Sequence, residues 1–151
     1  MFWFDKQHPN AIYIDNRTAE KNHIGHGYNP NHEVKPDILM DFRELNFPDK
    51  TFRLVVFDPP HLHSLTETSI IRKKFGALNP ETWQADLKKG FNECWRVLAD
   101  YGILVFKWHE AEIPLAEVLK CFDKIPLFGH PSGSKSKTHW LCFMKIPEVQ
   151  L

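Results

Sequence analysis

Residues 52–63, FRLVVFDPPHLH, decide how the rest of the chain is read. Leu54, Val55, Val56 and Phe57 form a short unbroken apolar run, which suits a strand buried on both faces of a parallel sheet. Asp58 ends the run, and Pro59 and Pro60 stop the ladder because neither has an N–H to donate. The pattern therefore places an acid at the carboxyl end of a central strand, where open α/β sheets bind ligands. Taken alone, Asp-Pro-Pro is also an ordinary strand-ending turn.

The chain has 151 residues, enough for one domain (1–151) with a proper core and too few for two. Hydrophobic residues make up 42%, so the composition is that of a globular protein. Lys plus Arg number 19, as do Asp plus Glu, and this neutrality counts against tight nucleic-acid binding through overall charge, though not against a local basic patch. No apolar run approaches the roughly 20 residues of a membrane span, and the first residues lack a signal-peptide pattern. Three scattered cysteines, Cys94, Cys121 and Cys142, suit reduced thiols in a cytoplasmic protein.

Around the deciding stretch, alternation of elements predicts an α/β fold, a mainly parallel sheet with helices on its faces. The opening aromatics Phe2, Trp3 and Phe4 are expected to tuck against the domain. AIYIDNR (11–17) reads as a first strand ending in Asp15, and DILMDF (37–42) as a second carrying Asp41 at its end. The long polar loop between them is the kind that is more often functional or mobile than filler. After the prolines, 64–80 reads as a substrate-facing loop with one irregular turn of helix. Asn79 and Pro80 then suit the N-cap and first position of a long helix with Trp83, Leu87, Phe91, Trp95 and Leu98 on its inner stripe. Gly102 closes a connection to the strand ILVFKW (103–108), a second helix spans about 112–122, IPLFGH is a short strand, and THWLCFMK is the last. A hairpin of these two makes the final strand antiparallel.

Asp-Pro-Pro followed by a flat ring, here His61, resembles motif IV of S-adenosylmethionine-dependent amino-methyltransferases. From residue 36 onward the order Asp-Phe-Arg-x-Leu-x-Phe-Pro-Asp-x-x-Phe, buried strand, Asp-Pro-Pro is similar to the second half of a Rossmann-like class I methyltransferase, shortened at its N-terminus. The terminal Lys-Thr-His-Trp resembles that of small phage- or prophage-type proteins of this kind. The resemblance implies a methyl transfer from S-adenosylmethionine to adenine N6 or cytosine N4 of a nucleic acid. Asp58, Pro59, Pro60 and His61 would carry the reaction. Asp15, Asn16, Arg17, Asp41, Phe42 and Asp58 would hold the cofactor. His61, His63, Lys135, Lys137, Thr138, His139 and Trp140 would meet the substrate, with Ser136 beside them.

The sequence departs from that family where its cofactor loop should be. The first strand ends Ile14-Asp15-Asn16-Arg17 without a glycine, and Gly25 and Gly27 come about ten residues later. Either Asp15 and its flanking backbone serve in a shortened form, or cofactor binding is weak or completed by another subunit, a homo-oligomer or a partner. Alternatives are a small-molecule or protein amine as substrate, which neutral charge suits better, and a non-catalytic interaction module. Nine histidines raise a metal site, but His23/His26 and His61/His63 lack accompanying cysteine pairs, so none is assigned. Arg72, Lys73 and Lys74, with Lys135 and Lys137, read as a solvated face or as phosphate contacts. Lys107, at the end of a strand, reads either as facing the cleft or, more simply, as an exposed edge lysine.

Overall fold

The computed structural model describes residues 4–5, 7–18, 34–131 and 137–147. Among the described residues six strands and three helices follow in chain order: β1 Ile14–Asp15, β2 Ile38–Leu39, β3 Phe52–Phe57, α1 Ile70–Phe75, α2 Trp83–Val97, β4 Leu98–His109, α3 Leu115–Leu119, β5 Phe128–Pro131 and β6 Thr138–Met144. Four strands form a mixed sheet in the order β3-β4-β6-β5, and β1 and β2 pair in a separate two-stranded sheet. The fold is thus mixed α/β. β3 runs parallel to β4, while β6 is antiparallel to both β4 and β5, so the four-stranded sheet is not mainly parallel. The terminal strand is antiparallel, as the hairpin pattern implies.

The first two strands are much shorter than their apolar patterns suggest. At the start of β2 the Asp37 carboxylate takes the Tyr13 N–H at 2.8 Å, and a side chain replaces a ladder bond. At its end Asp41 accepts the N–H of Arg43 at 2.8 Å and its carbonyl that of Glu44 at 3.1 Å, turning the chain out of the sheet. The helix after the loop starts at Trp83 rather than at residue 80. Asn79 accepts the Glu81 N–H at 2.9 Å and shapes a turn, and Thr82 is the N-cap. Likewise α3 begins after Pro114, because Glu112 is engaged elsewhere. β4 extends back to the end of α2: Leu98 pairs with Phe52 and Ile103 with Leu54, and the residues between them bulge around Tyr101, at φ 60°. Phe4 is fully exposed, against the expected packing; Phe2 and Trp3 lie outside the described residues.

Strand alternation divides the sheet into two faces. Leu104, Phe106 and Trp108 of β4, Leu141 and Phe143 of β6 and Phe57 of β3 are buried against Leu87, Phe91 and Val97 of α2 and Val118 and Phe122 near α3. Phe91 stacks on Phe122 with ring centroids 4.1 Å apart and meets Phe143 edge-on at 5.1 Å. Lys145, just past β6, donates to the carbonyls of Trp95 and Leu98 at 2.7 and 2.8 Å, placing a cation on the C-terminal end of α2 where the helix dipole favours one. The other face carries Leu54, Val56, Ile103, Val105, Cys142 and Met144, none of which belongs to that core. Among the described residues no helix is long and apolar enough to cross a membrane.

Candidate active site at the carboxyl end of strand β3

Asp58 is the first residue beyond β3, and the Phe57–Phe106 pairing puts it beside Lys107 of β4. The Lys107 ammonium lies 2.9 Å from Asp58 Oδ2, with the two side chains 26% and 31% exposed. On its other flank Lys107 pairs in register with Trp140 of β6, and its Nζ sits 5.9 Å from the centre of that ring. His109 pairs with Thr138, its Nδ1 2.8 Å from the Thr138 hydroxyl. His61 meets His109 and Trp108 edge-on, with centroids 5.2 and 6.3 Å away. Burial, then the neighbouring His109, pushes the His61 imidazole below its ordinary range, outweighing the opposite pull of Asp58 and Glu112. The ring is therefore neutral at neutral pH.

The structure brings Asp58, Pro60, His61, Thr138 and Trp140 to one end of the sheet and separates them from His139. Alternation turns His139 to the helix side, opposite Trp108, where its Nε2 lies 2.9 Å from Glu110 Oε1. The Leu115 N–H and that ring together hold the Glu110 carboxyl below its usual range. His63 also leaves the cluster: its N–H donates to Glu112 at 2.6 Å. Ser64 donates to the same carboxylate through its N–H and its hydroxyl. Glu112 thereby clamps the start of the 64–80 loop to the turn after β4. A cleft of about 470 Å³ begins at His63 and runs along this loop past Arg72 to Asn79; Asp58 and His61 are not among its lining residues. Lys137 offers its carbonyl to the Glu110 N–H at 2.9 Å. Lys135 and Ser136 lie outside the described residues, as do His23, Gly25, His26 and Gly27. Among the described residues no group of three or more His, Cys, Asp or Glu is gathered as for a metal ion.

The two earlier strand-end acids are each gripped by an arginine two residues on. Arg17 Nε and Nη2 reach Asp15 Oδ1 and Oδ2, both at 2.9 Å, and its Nη1 donates to the Arg72 and Lys73 carbonyls of α1 at 3.3 Å. Arg43 holds Asp41 in the same two-pronged way and also reaches Asp86 of α2 at 2.9 Å. Its guanidinium keeps the Asp41 carboxyl below the usual carboxylate range. Asn16 is exposed beside these groups. Phe42 packs on Phe57 at 5.5 Å and over Gly90, where a Cβ would meet the Phe42 ring at 2.3 Å. Gly76, at φ +78°, joins the β1 and β3 ends: Pro60 and Arg17 both lie against it.

His109, Glu110 and Glu112 are candidate-site residues that sequence reading missed, and Lys107, read mainly as an exposed edge lysine, lies instead on a strand paired on both sides. The alternation in ILVFKWH sets Lys107 and His109 on the face opposite Phe106 and Trp108, but which strands flank them is a matter of register, which sequence does not display.

No family model and no curated protein matches the chain. Two crystal structures from Thermus thermophilus are similar to it, the second of a selenomethionine derivative; both carry the description "Putative DNA Modification Methylase". The first aligns with 72% of this chain and 52% of its own at 21% identity and a TM-score of 0.44. The second covers 72% and 51%, with 21% identity and a TM-score of 0.42. The chain spans about half the length of the structures it matches.

Proposed function

We propose that this chain transfers a methyl group from S-adenosylmethionine to an amino nitrogen conjugated to a planar ring, adenine N6 or cytosine N4 of a nucleic acid. The observation that carries the reading is the Asp58 carboxylate at a strand end, one oxygen held by Lys107, with the flat side chains of His61 and Trp140 at the same end of the sheet.

Such an amine is a poor nucleophile because its lone pair is delocalised into the ring. Asp58 Oδ1 and the Pro59 carbonyl can each accept one of its hydrogens, drawing the nitrogen towards tetrahedral geometry. Pro59 and Pro60 stiffen the backbone that carries that carbonyl, so the acceptors are positioned before the reaction begins. S-adenosylmethionine supplies an electrophilic methyl on a sulfonium. As nitrogen bonded to the methyl carbon, the carbon–sulfur bond would break with its electron pair returning to sulfur, leaving a neutral thioether, and one N–H proton would pass to the Asp58 carboxylate. Neutral His61 and Trp140 offer faces on which a base can stack. A base within a duplex would have to be flipped out to reach Asp58.

The residues present fit the cofactor's charges. Asp15 and Arg17, side chains 28% and 30% exposed, form a matched pair for an ammonium and a carboxylate on one amino-acid moiety. Asp41 retains lone pairs beyond those that Arg43 engages, and with Phe42 it would lie beside the adenine of the cofactor.

A second reading, methylation of a small-molecule or protein amine, is favoured by the balance of 19 basic and 19 acidic residues. Labelled cofactor, offered with single-stranded DNA, duplex DNA, RNA and free adenosine, separates the two. Label entering a base amine, with binding that weakens steeply as salt rises, supports the first. Label entering only free amines supports the second. No transfer and no calorimetric binding of the cofactor would overturn both.

A further inference from the structure

Lys107 belongs to β4, which is paired on both sides, whereas Asp58 stands just outside its strand. The terminal torsion of an aspartate is broad and roughly two-fold, so an unheld carboxylate samples many orientations. The 2.9 Å charge-assisted bond to Lys107 removes that freedom. Because the pair is partly exposed, the bond adds little to stability, and its consequence is orientation. The same ammonium approaches the Trp140 ring, so one side chain touches both the acid and the flat surface.

We propose that Lys107 is a positioning residue: it anchors Asp58 through Oδ2 so that Oδ1 faces the substrate amine. This rests on the methyl-transfer reading above.

The test is a double-mutant cycle of Lys107→Met and Asp58→Asn, with Lys107→Arg alongside. Lys107→Met should lower kcat about 10- to 100-fold, the scale of a misplaced reacting group, with KM and calorimetric cofactor affinity within about twofold of wild type. Lys107→Arg should recover most of the loss. In the Asp58→Asn background Lys107→Met should cost nothing further. In thermal unfolding Lys107→Met should lower Tm by no more than about 1–3 °C, and the effect should be smaller in the Asp58→Asn background. Wild-type kcat in Lys107→Met, or losses that simply multiply in the double variant, would overturn the proposal. A wild type that transfers no methyl overturns the methyl-transfer reading and this role with it; an active wild type with an indifferent Lys107→Met overturns this role alone.

Discussion

The two faces of the four-stranded sheet are built from the same strands and do opposite work. On one face Leu104, Phe106, Trp108 and Phe143 are buried under α2 and the segment around α3. On the other, one residue along in every strand, Lys107, His109 and Trp140 stand at the carboxyl end beside Asp58. Beyond them that face carries apolar residues with substantial exposure, Leu54 at 47% and Phe128 at 68%. On the function proposed above, strand alternation keeps the packed face apart from the face that carries Lys107 and Trp140: a one-residue register slip would exchange them.

The largest expected effect lies on the helix side. Phe106→Ala should lose about 3–5 kcal/mol of unfolding free energy in urea, the range for an aromatic deleted from a packed core; a loss under about 1 kcal/mol would erase the distinction between the faces. Next is Lys145→Met, which uncovers the carbonyls at the end of α2 and should cost about 1–2 kcal/mol. On the open face Phe128→Ser should stay within about 0.5 kcal/mol of wild type. A large loss there would mean that this side, too, holds the fold together.

The pH dependence of stability sharpens the same contrast. The His61 pKa is lowered in the folded chain, chiefly by burial and then by His109. As pH falls through about 6.5, the unfolded chain takes up a proton that the folded site resists. Stability should therefore decline from about pH 6.5 downward and level off once pH is below the folded-state value. His61→Phe, which keeps a flat ring, should flatten this limb in unfolding midpoints measured across roughly pH 5–7.5; an unchanged limb would assign it to other groups.

Much of this was legible from the residues. The strand ending at Asp58, the helix carrying Leu87 and Phe91, and the antiparallel last strand are local patterns of period and punctuation, but among the described residues β3 is an edge of the four-stranded sheet with Leu54 47% exposed, not a central strand buried on both faces. The two-residue lengths of β1 and β2 were not, because Asp37 and Asp41 spend their carboxylates on Tyr13 and Arg43 rather than letting the ladder run on. Nor were the partners of Asp58 and Glu112, which lie 49 and 48–49 residues away in sequence. Thr138, His139 and Trp140 read as one group in sequence, yet strand alternation sends the middle one to the helix side.

The central claim is that Asp58 carries the reaction. Asparagine there keeps the shape but replaces one acceptor oxygen with a donor, and it cannot pair with Lys107 as an ion. Methyl transfer from labelled cofactor by purified wild type and Asp58→Asn, at matched folding and cofactor binding, tests this most directly. The expected result is a loss of at least about 100-fold, the scale of one positioned transition-state contact. Equal transfer by the two proteins would contradict it.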